Sequence, residues 1–338
     1  MFPRLTVVNL LPTPWMASVG IGPTIGILLI LLTLQAFAGS TEQAQLQEAL
    51  RLGNQGKFAQ EIQLLESLVH SDPATLDDAN RGIAWNTLGI LHMMMGDNEQ
   101  SRRCYENAIQ LLRNLPAVSR AYASALANLG SLELTLHQYD GADISLRKAQ
   151  EIDLKASDHV GLQEIAMYRA NFAITRNNMR EARRFLADAF READQVKDLN
   201  LRDRATMYNV AGALAAKTRD FTAAAGDYQQ SIDFWTQACG HKCYYVGVES
   251  ALQADVYREL GDYRRAEDEI TEALALTEQA VGRNSPLYAG MEIIHARVLR
   301  AMGSKAEAAQ QEADAKQHLD SMRQRQCNGC SISATGFR

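Results

Sequence analysis

Four of the five cysteines stand in two close pairs, Cys239-Gly240-His241-Lys242-Cys243 and Cys327-Asn328-Gly329-Cys330, with Cys104 apart from both. Thiols so placed can close disulfides, exchange with other thiols, or supply the four thiolates of a zinc site. An odd count fits two local bridges, Cys239 with Cys243 and Cys327 with Cys330, plus one spectator thiol. An exported chain favours the bridges, and reduced, inert thiols remain open beside them. Zinc would require the two distant pairs to meet. Redox catalysis would usually accompany a βαβ pattern, which this sequence lacks. Asn328-Gly329 reads as a tight turn between the last two cysteines.

Other chemistry is scarcer. The seven histidines (His70, His92, His137, His159, His241, His295 and His318) never fall within a helical turn of one another. No His-Glu-x-x-His or similar ligand spacing exists, so no metal is expected. Gly53-Asn54-Gln55-Gly56-Lys57 has the wrong spacing for a phosphate loop and lacks the following hydroxyl. There is no Gly-x-Ser-x-Gly elbow. A helix would turn Met93-Met94-Met95 to different faces, which suits packing and groove lining better than soft-metal binding. The residues therefore point to a non-enzymatic protein without a cofactor.

The N-terminus reads separately from the rest. Between Arg4 and Glu42 there is no charged side chain, and Ile25–Leu34 is a compact apolar run followed by Ala36-Phe37-Ala38. That is the form of a cleaved secretory signal over residues 1–38. The stretch 19–38 is also just long enough to remain as a membrane anchor. Export to a periplasmic or extracellular space of a bacterial envelope is the expectation, with membrane attachment only if the segment stays uncleaved. The whole chain of 338 residues carries 34 basic and 40 acidic groups, a net charge of −6. That balance argues against a nucleic-acid partner. An apolar fraction of 46% supports a folded core, and only seven prolines interrupt it.

Beyond the N-terminus the chain repeats itself. One column of residues runs Glu61, Ser101, Ala142, Ala182, Ala224, Ala266, Ala308, in steps of 40 to 42. Four residues on stand Leu65, Tyr105, Leu146, Leu186, Tyr228, Ile270 and Glu312. Seven residues on stand Leu68, Ala108, Ala149, Ala189, Ser231, Ala273 and Ala315. Spacings of four and seven place all three on one helical face. A turn precedes each face, from Gly56-Lys57-Phe58 to Gly303-Ser304-Lys305. Before the turn lies another helical segment with large-then-small pairs such as Leu88-Gly89, Leu129-Gly130 and Ala211-Gly212. Small residues let two antiparallel helices approach, and large ones fill the gap. A single pair cannot bury its apolar face, so the pairs must stack.

The series Trp85, Leu88-Gly89, Gly96, Ser101, Tyr105, Ala108 resembles a tetratricopeptide repeat, and six other segments match it to varying degrees. The 42-residue step is longer than the usual 34 and is similar to that of kinesin light chain-like bacterial members of the family. Gly282-Arg283-Asn284-Ser285-Pro286 resembles the turn between repeats of that variety, with Ser in place of His. The resemblance implies an all-α superhelix, right-handed, of seven helix pairs over residues 39–322, followed by a Cys-containing tail over 323–338. It further implies a scaffold or adaptor that binds a partner protein or peptide in a concave groove. The alternatives are a thiol or zinc accessory protein built on the cysteine pairs, and a structural subunit of a larger envelope complex. The groove stripe is expected at Ile83, Asn86, Ile90 and Met93, at Glu164, Met167, Asn171 and Ile174, and at Thr206 and Asn209. Toward the C-terminus Arg258, Arg297 and Arg300, near Asp255, take its place. Carboxamides there could bond an extended backbone and the arginines an acidic group. Equally, the asparagines could tie helices together and the arginines pair with Asp255 and other neighbours.

Overall fold

The computed structural model describes residues 41–330 apart from positions 54 and 73, with side chains through 321. The described residues form fourteen α-helices and no strand. The first pair is α1 (41–53) with α2 (Phe58–Val69), the second α3 (Asp78–Met94) with α4 (Asn98–Leu112), and the third α5 (Ser119–Thr135) with α6 (Tyr139–Ala156). The fourth is α7 (His159–Thr175) with α8 (Met179–Asp194), the fifth α9 (Leu201–Lys217) with α10 (Phe221–Cys239). α11 (Tyr244–Leu260) with α12 (Tyr263–Val281) and α13 (Pro286–Met302) with α14 (Lys305–Cys330) complete an all-α superhelix.

Each pair is made by one device. The last residue of the first helix's turn adopts the left-handed conformation, with φ between 59° and 93°, at Gly56, Gly96, His137, Asn177, Arg219, Gly261 and Gly303. The next residue often caps the second helix: Asp97, Asn178, Asp220 and Asp262 each accept a hydrogen bond from the backbone N–H three residues on. A left-handed stop followed at once by an N-cap reverses the chain within three residues. Between pairs, Gly240 and Gly282 share an extended, positive-φ conformation (φ 88°, ψ 165° and φ 73°, ψ 173°), so the two turns are structurally equivalent.

The columns pack as their sizes require. Ala142, Ala182, Ala224, Ala266 and Ala308 are fully buried, as is Tyr105. A methyl group on Gly89 would come within 2.5 Å of the Tyr105 ring, and one on Gly130 within 2.7 Å of Leu146. Ser101 Oγ donates to the Gly89 carbonyl at 2.7 Å, tying α3 to α4 at that close approach. Glu61 stands in the same small column, 1% exposed, with neither carboxylate oxygen hydrogen-bonded. Burial pushes its pKa up to about 8 against an opposing attraction from Arg202.

The array closes on itself. Phe58 of α2 packs edge-on to Tyr244 and Tyr245 of α11, with ring centroids 5.0 and 6.3 Å apart. Leu46, Ala49, Leu65 and Leu68 share one apolar cluster with Trp235, Cys243, Ile270 and Ala273. The turn at Gly96 sits so near Pro286 that a methyl there would lie 2.5 Å from its ring. Thus the turns of pairs one and two rest on the start of pairs six and seven.

At the far end, α14 continues to Cys330, past the boundary expected at 322 and through Asn328-Gly329, where the sequence suggests a turn. The extension opens with Arg323-Gln324-Arg325-Gln326, good helix formers that favour continuing the helix begun against α13. Among the described residues no helix is long and apolar enough to cross a membrane. Residues 1–38, where the leader is expected, lie outside the described residues.

Candidate functional site

The stripe expected to line a groove divides in two. Ile83, Met93, Asn171, Thr206 and Asn209 keep partial exposure on the first helices of their pairs. Ile90, Met167, Glu164 and Ile174 are buried, between 4% and 9% exposed. Ile90 packs with Tyr105 and Leu132, Met167 and Ile174 with the cluster joining pairs four and five. The reason is geometric. Neighbouring first helices touch one another, so half of the face left free inside a pair is covered by the next pair.

The asparagines behave differently from one another. Asn128 Nδ2 donates to Asn86 Oδ1 at 3.1 Å, the Tyr168 hydroxyl donates to Asn128 Oδ1 at 2.7 Å, and the same hydroxyl oxygen lies 2.9 Å from Glu164 Oε1. Asn209 Nδ2 donates to Glu249 Oε2 at 2.8 Å. The bonds Asn128–Asn86, Tyr168–Asn128 and Asn209–Glu249 run from one pair to the next, so Asn86 and Asn209 serve as ties between helices. Glu249 is wholly buried; its pKa is pushed up to about 7, opposed by the bond from Asn209. Asn171 is the exception: half-buried, its carboxamide makes no hydrogen bond among the described residues. The sequence stripe did not include Asn128, Tyr168 or Glu249. Their signal was there, since the bonded partners lie 42, 40 and 40 residues apart, one repeat step each time.

The C-terminal arginines are also engaged. Arg258 bonds Asp255 at 2.8 Å and Glu259 at 2.6 Å, Arg297 reaches Asp255 at 3.5 Å, and Arg300 pairs with Glu312 of α14 at 2.8 Å. An acidic ligand would have to compete with these carboxylates.

Of the cysteines, Cys239 and Cys243 are joined, with Cα atoms 5.7 Å apart, across the turn between α10 and α11. Sulfurs spent on each other cannot bind zinc. Cys104 is a buried free thiol whose pKa burial raises to about 12, far from that of a reactive thiolate. The side chains of Cys327 and Cys330, and hence their expected bridge, lie outside the described residues. Three histidines sit singly beside carboxylates: His159 with Glu192 at 2.8 Å, His295 with Glu267 at 3.0 Å, His318 with Glu292 at 2.8 Å. Among the described residues no group of three or more such side chains could hold a metal.

Known proteins share this geometry. Tetratricopeptide-repeat family models match residues 80–155 and 254–287. Among functionally curated proteins, none matches the sequence. Of solved structures, BtubC (BKLC) from P. vanneervenii is 18% identical with a TM-score of 0.51, covering 69% of this chain and 92% of that one. A Rap protein complexed with competence and sporulation factor is 12% identical with a TM-score of 0.60, covering 86% of this chain and 88% of the other. RapI without ligand is 11% identical, at 0.52, covering 84% and 99%. At such identities the likeness is one of fold alone.

Proposed function

Because the chain is a tetratricopeptide-repeat protein, we propose that it is a non-enzymatic scaffold that binds a partner protein or peptide along the inner stripe of its superhelix. The observation that carries this reading is the set of partly exposed residues Ile83 and Met93 on α3 and Asn171 on α7, the last with its carboxamide unbonded. Such an amide can donate to and accept from an extended backbone whatever the ligand's side chains, while the flanking apolar groups bury its residues. Asn86, Ile90 and Met167 support that surface from beneath, Asn209 lies partly exposed on it, and the paired arginines Arg258, Arg297 and Arg300 form its charged end. The apolar leader supports placement outside the cytoplasm, in the periplasm or beyond.

The test is capture of partners on the immobilised protein from the source envelope, repeated with Ile83→Ala, Met93→Ala and Asn171→Ala combined. The expected result is a partner lost by the triple variant while it still melts cooperatively, at a midpoint only a few degrees lower. Retention of every partner by that variant would reject the groove. N-terminal sequencing of the native protein tests export: a start at Gly39 is expected, and Met1 on membrane-bound protein would show an anchor instead.

A further inference from the structure

Outside that stripe, the outer face carries a cleft of about 220 Å³ between α6 and α8, floored by α7. Leu154, Leu162, Ile165, Ala166 and Phe185 form its apolar wall, and Gln150 and Arg169 stand at one side. Asp188, Arg191 and Glu192 complete the rim.

Arg169 is the unusual member. Counted back from the turn of each pair, its equivalents are Glu48, Leu88, Leu129, Ala211, Gln253 and His295. The polar ones among these each have a partner: Glu48 pairs with Arg51 of its own helix, Gln253 donates to the Ala225 carbonyl at 2.9 Å, and His295 meets Glu267 at 3.0 Å. Arg169 has only the side-chain oxygen of Gln150, at 3.0 Å, and no carboxylate within ion-pair reach among the described residues. The charges that act on it most are one acidic group, Asp143, and two further cations, Arg147 and Arg184. Arg147 is itself paired with Asp143. Arg169 and Arg184 both lie over the Phe185 ring, at 5.9 and 4.6 Å. The carboxylates on the rim are taken: Asp188 by Arg191 at 2.8 Å and Glu192 by His159 at 2.8 Å. A half-buried guanidinium held in an apolar layer without a counter-ion is costly to keep, and burial pulls its pKa down.

We propose that this cleft is a binding site for an apolar carboxylate, its two oxygens on Arg169 and its hydrocarbon on Leu154, Leu162, Ile165 and Phe185. The planar guanidinium offers a carboxylate two parallel donors. The volume is below the roughly 300–1,000 Å³ of sites for larger small molecules, so one residue-sized group fits it. The chemistry is shared by a free organic acid and by the last residue of a chain that ends in Leu or a similar side chain. The cleft lies apart from the inner stripe, so its fate is independent of the scaffold reading.

The experiment is ligand-observed saturation-transfer NMR on the full chain with N-acetyl-leucine, N-acetyl-leucinamide and 4-methylvalerate. A Kd on the order of 1–10 mM is expected for the first, in keeping with its dozen or so heavy atoms. The uncharged amide should bind at least about tenfold more weakly. Arg169→Leu places there the residue of the preceding repeat; it should lose the ligand at least about tenfold while melting no lower. Arg169→Gln, nearer in shape, gives the same reading should the leucine variant fold poorly. N-acetyl-leucine binding more tightly than 4-methylvalerate would support a chain end as the natural ligand, and the reverse a free acid; both accord with the site. Equal binding of acid and amide, or undiminished binding by Arg169→Gln, would overturn it.

Discussion

Replacing Glu61 by Gln should stabilise the protein in a way that grows with pH. In the folded chain this carboxyl is 1% exposed, without a hydrogen bond, and titrates near 8 rather than at 4.5. A raised carboxylate pKa means that the folded state holds a proton which the unfolded state has released between pH 4.5 and 8. Stability is therefore greatest below the unfolded value and falls as pH rises through this window. Each unit is worth about 1.4 kcal/mol, so the loss reaches about 3 kcal/mol at pH 7 and levels off near 5 above pH 8. Glutamine has almost the same shape and is as poorly solvated as the neutral acid, but it cannot ionise. The variant and the parent should match at pH 4.5 and diverge by about 3 kcal/mol at pH 7. Denaturant melts of both at pH 4.5, 6, 7 and 8.5 measure this. Glu249 and Glu269, also raised to about 7 by burial, titrate in both proteins and drop out of the difference. A difference that stays flat with pH would refute the buried, protonated Glu61 and point to a salt bridge with Arg202.

The turns and ties set further outcomes. Arg219 holds a positive φ of 65° that costs a non-glycine residue on the order of 1 kcal/mol, so Arg219→Gly should raise the midpoint of a thermal melt by a corresponding amount, less any loss of contact with Phe221. Gly89→Ala should cost about 1–3 kcal/mol in a denaturant melt by driving a methyl into Tyr105. Asn128→Leu strands Asn86 Oδ1 and one bond of the Tyr168 hydroxyl in the interior and should cost about 2 kcal/mol. Peptide mapping without reductant should recover Cys239 linked to Cys243, and reduction should cost no more than about 2 kcal/mol, since the loop is short.

The pairing of helices was legible because its code is local. Gly89 opposite Tyr105 and the column of alanines are repeated, so each copy corrects the reading of the next. The inner stripe was half legible. Periodicity shows which face a helix leaves free within its own pair, as at Ile83 and Ile90 alike, but not which part the next pair will cover. Asn86 and Asn209 could be read as ligands or as ties until their partners were in place; moving one repeat step along the chain finds those partners. Arg169 escaped notice because a charged residue in one copy of a degenerate column looks like ordinary drift. Glu61, the one charged residue in a column of small ones, is buried. Its carboxylate lies against Gly53 of its own pair. The contact between pair one and pair six depends on rotation accumulated over five interfaces and leaves no trace in any window of sequence.

That contact changes how the chain must fold. In an open array each unit meets only its neighbours, so order can spread from any point and the ends can fray alone. Here Phe58 finds Tyr244 across more than half the chain. A nucleus formed among the middle pairs gains nothing from this contact until every intervening unit is in register, and the contact then rewards them all at once. Closure so late and so distant in sequence slows assembly, but it binds the two ends into a common cooperative unit. Fraying of α1 and α2 should accordingly be seen, in hydrogen exchange, as opening of α11 as well.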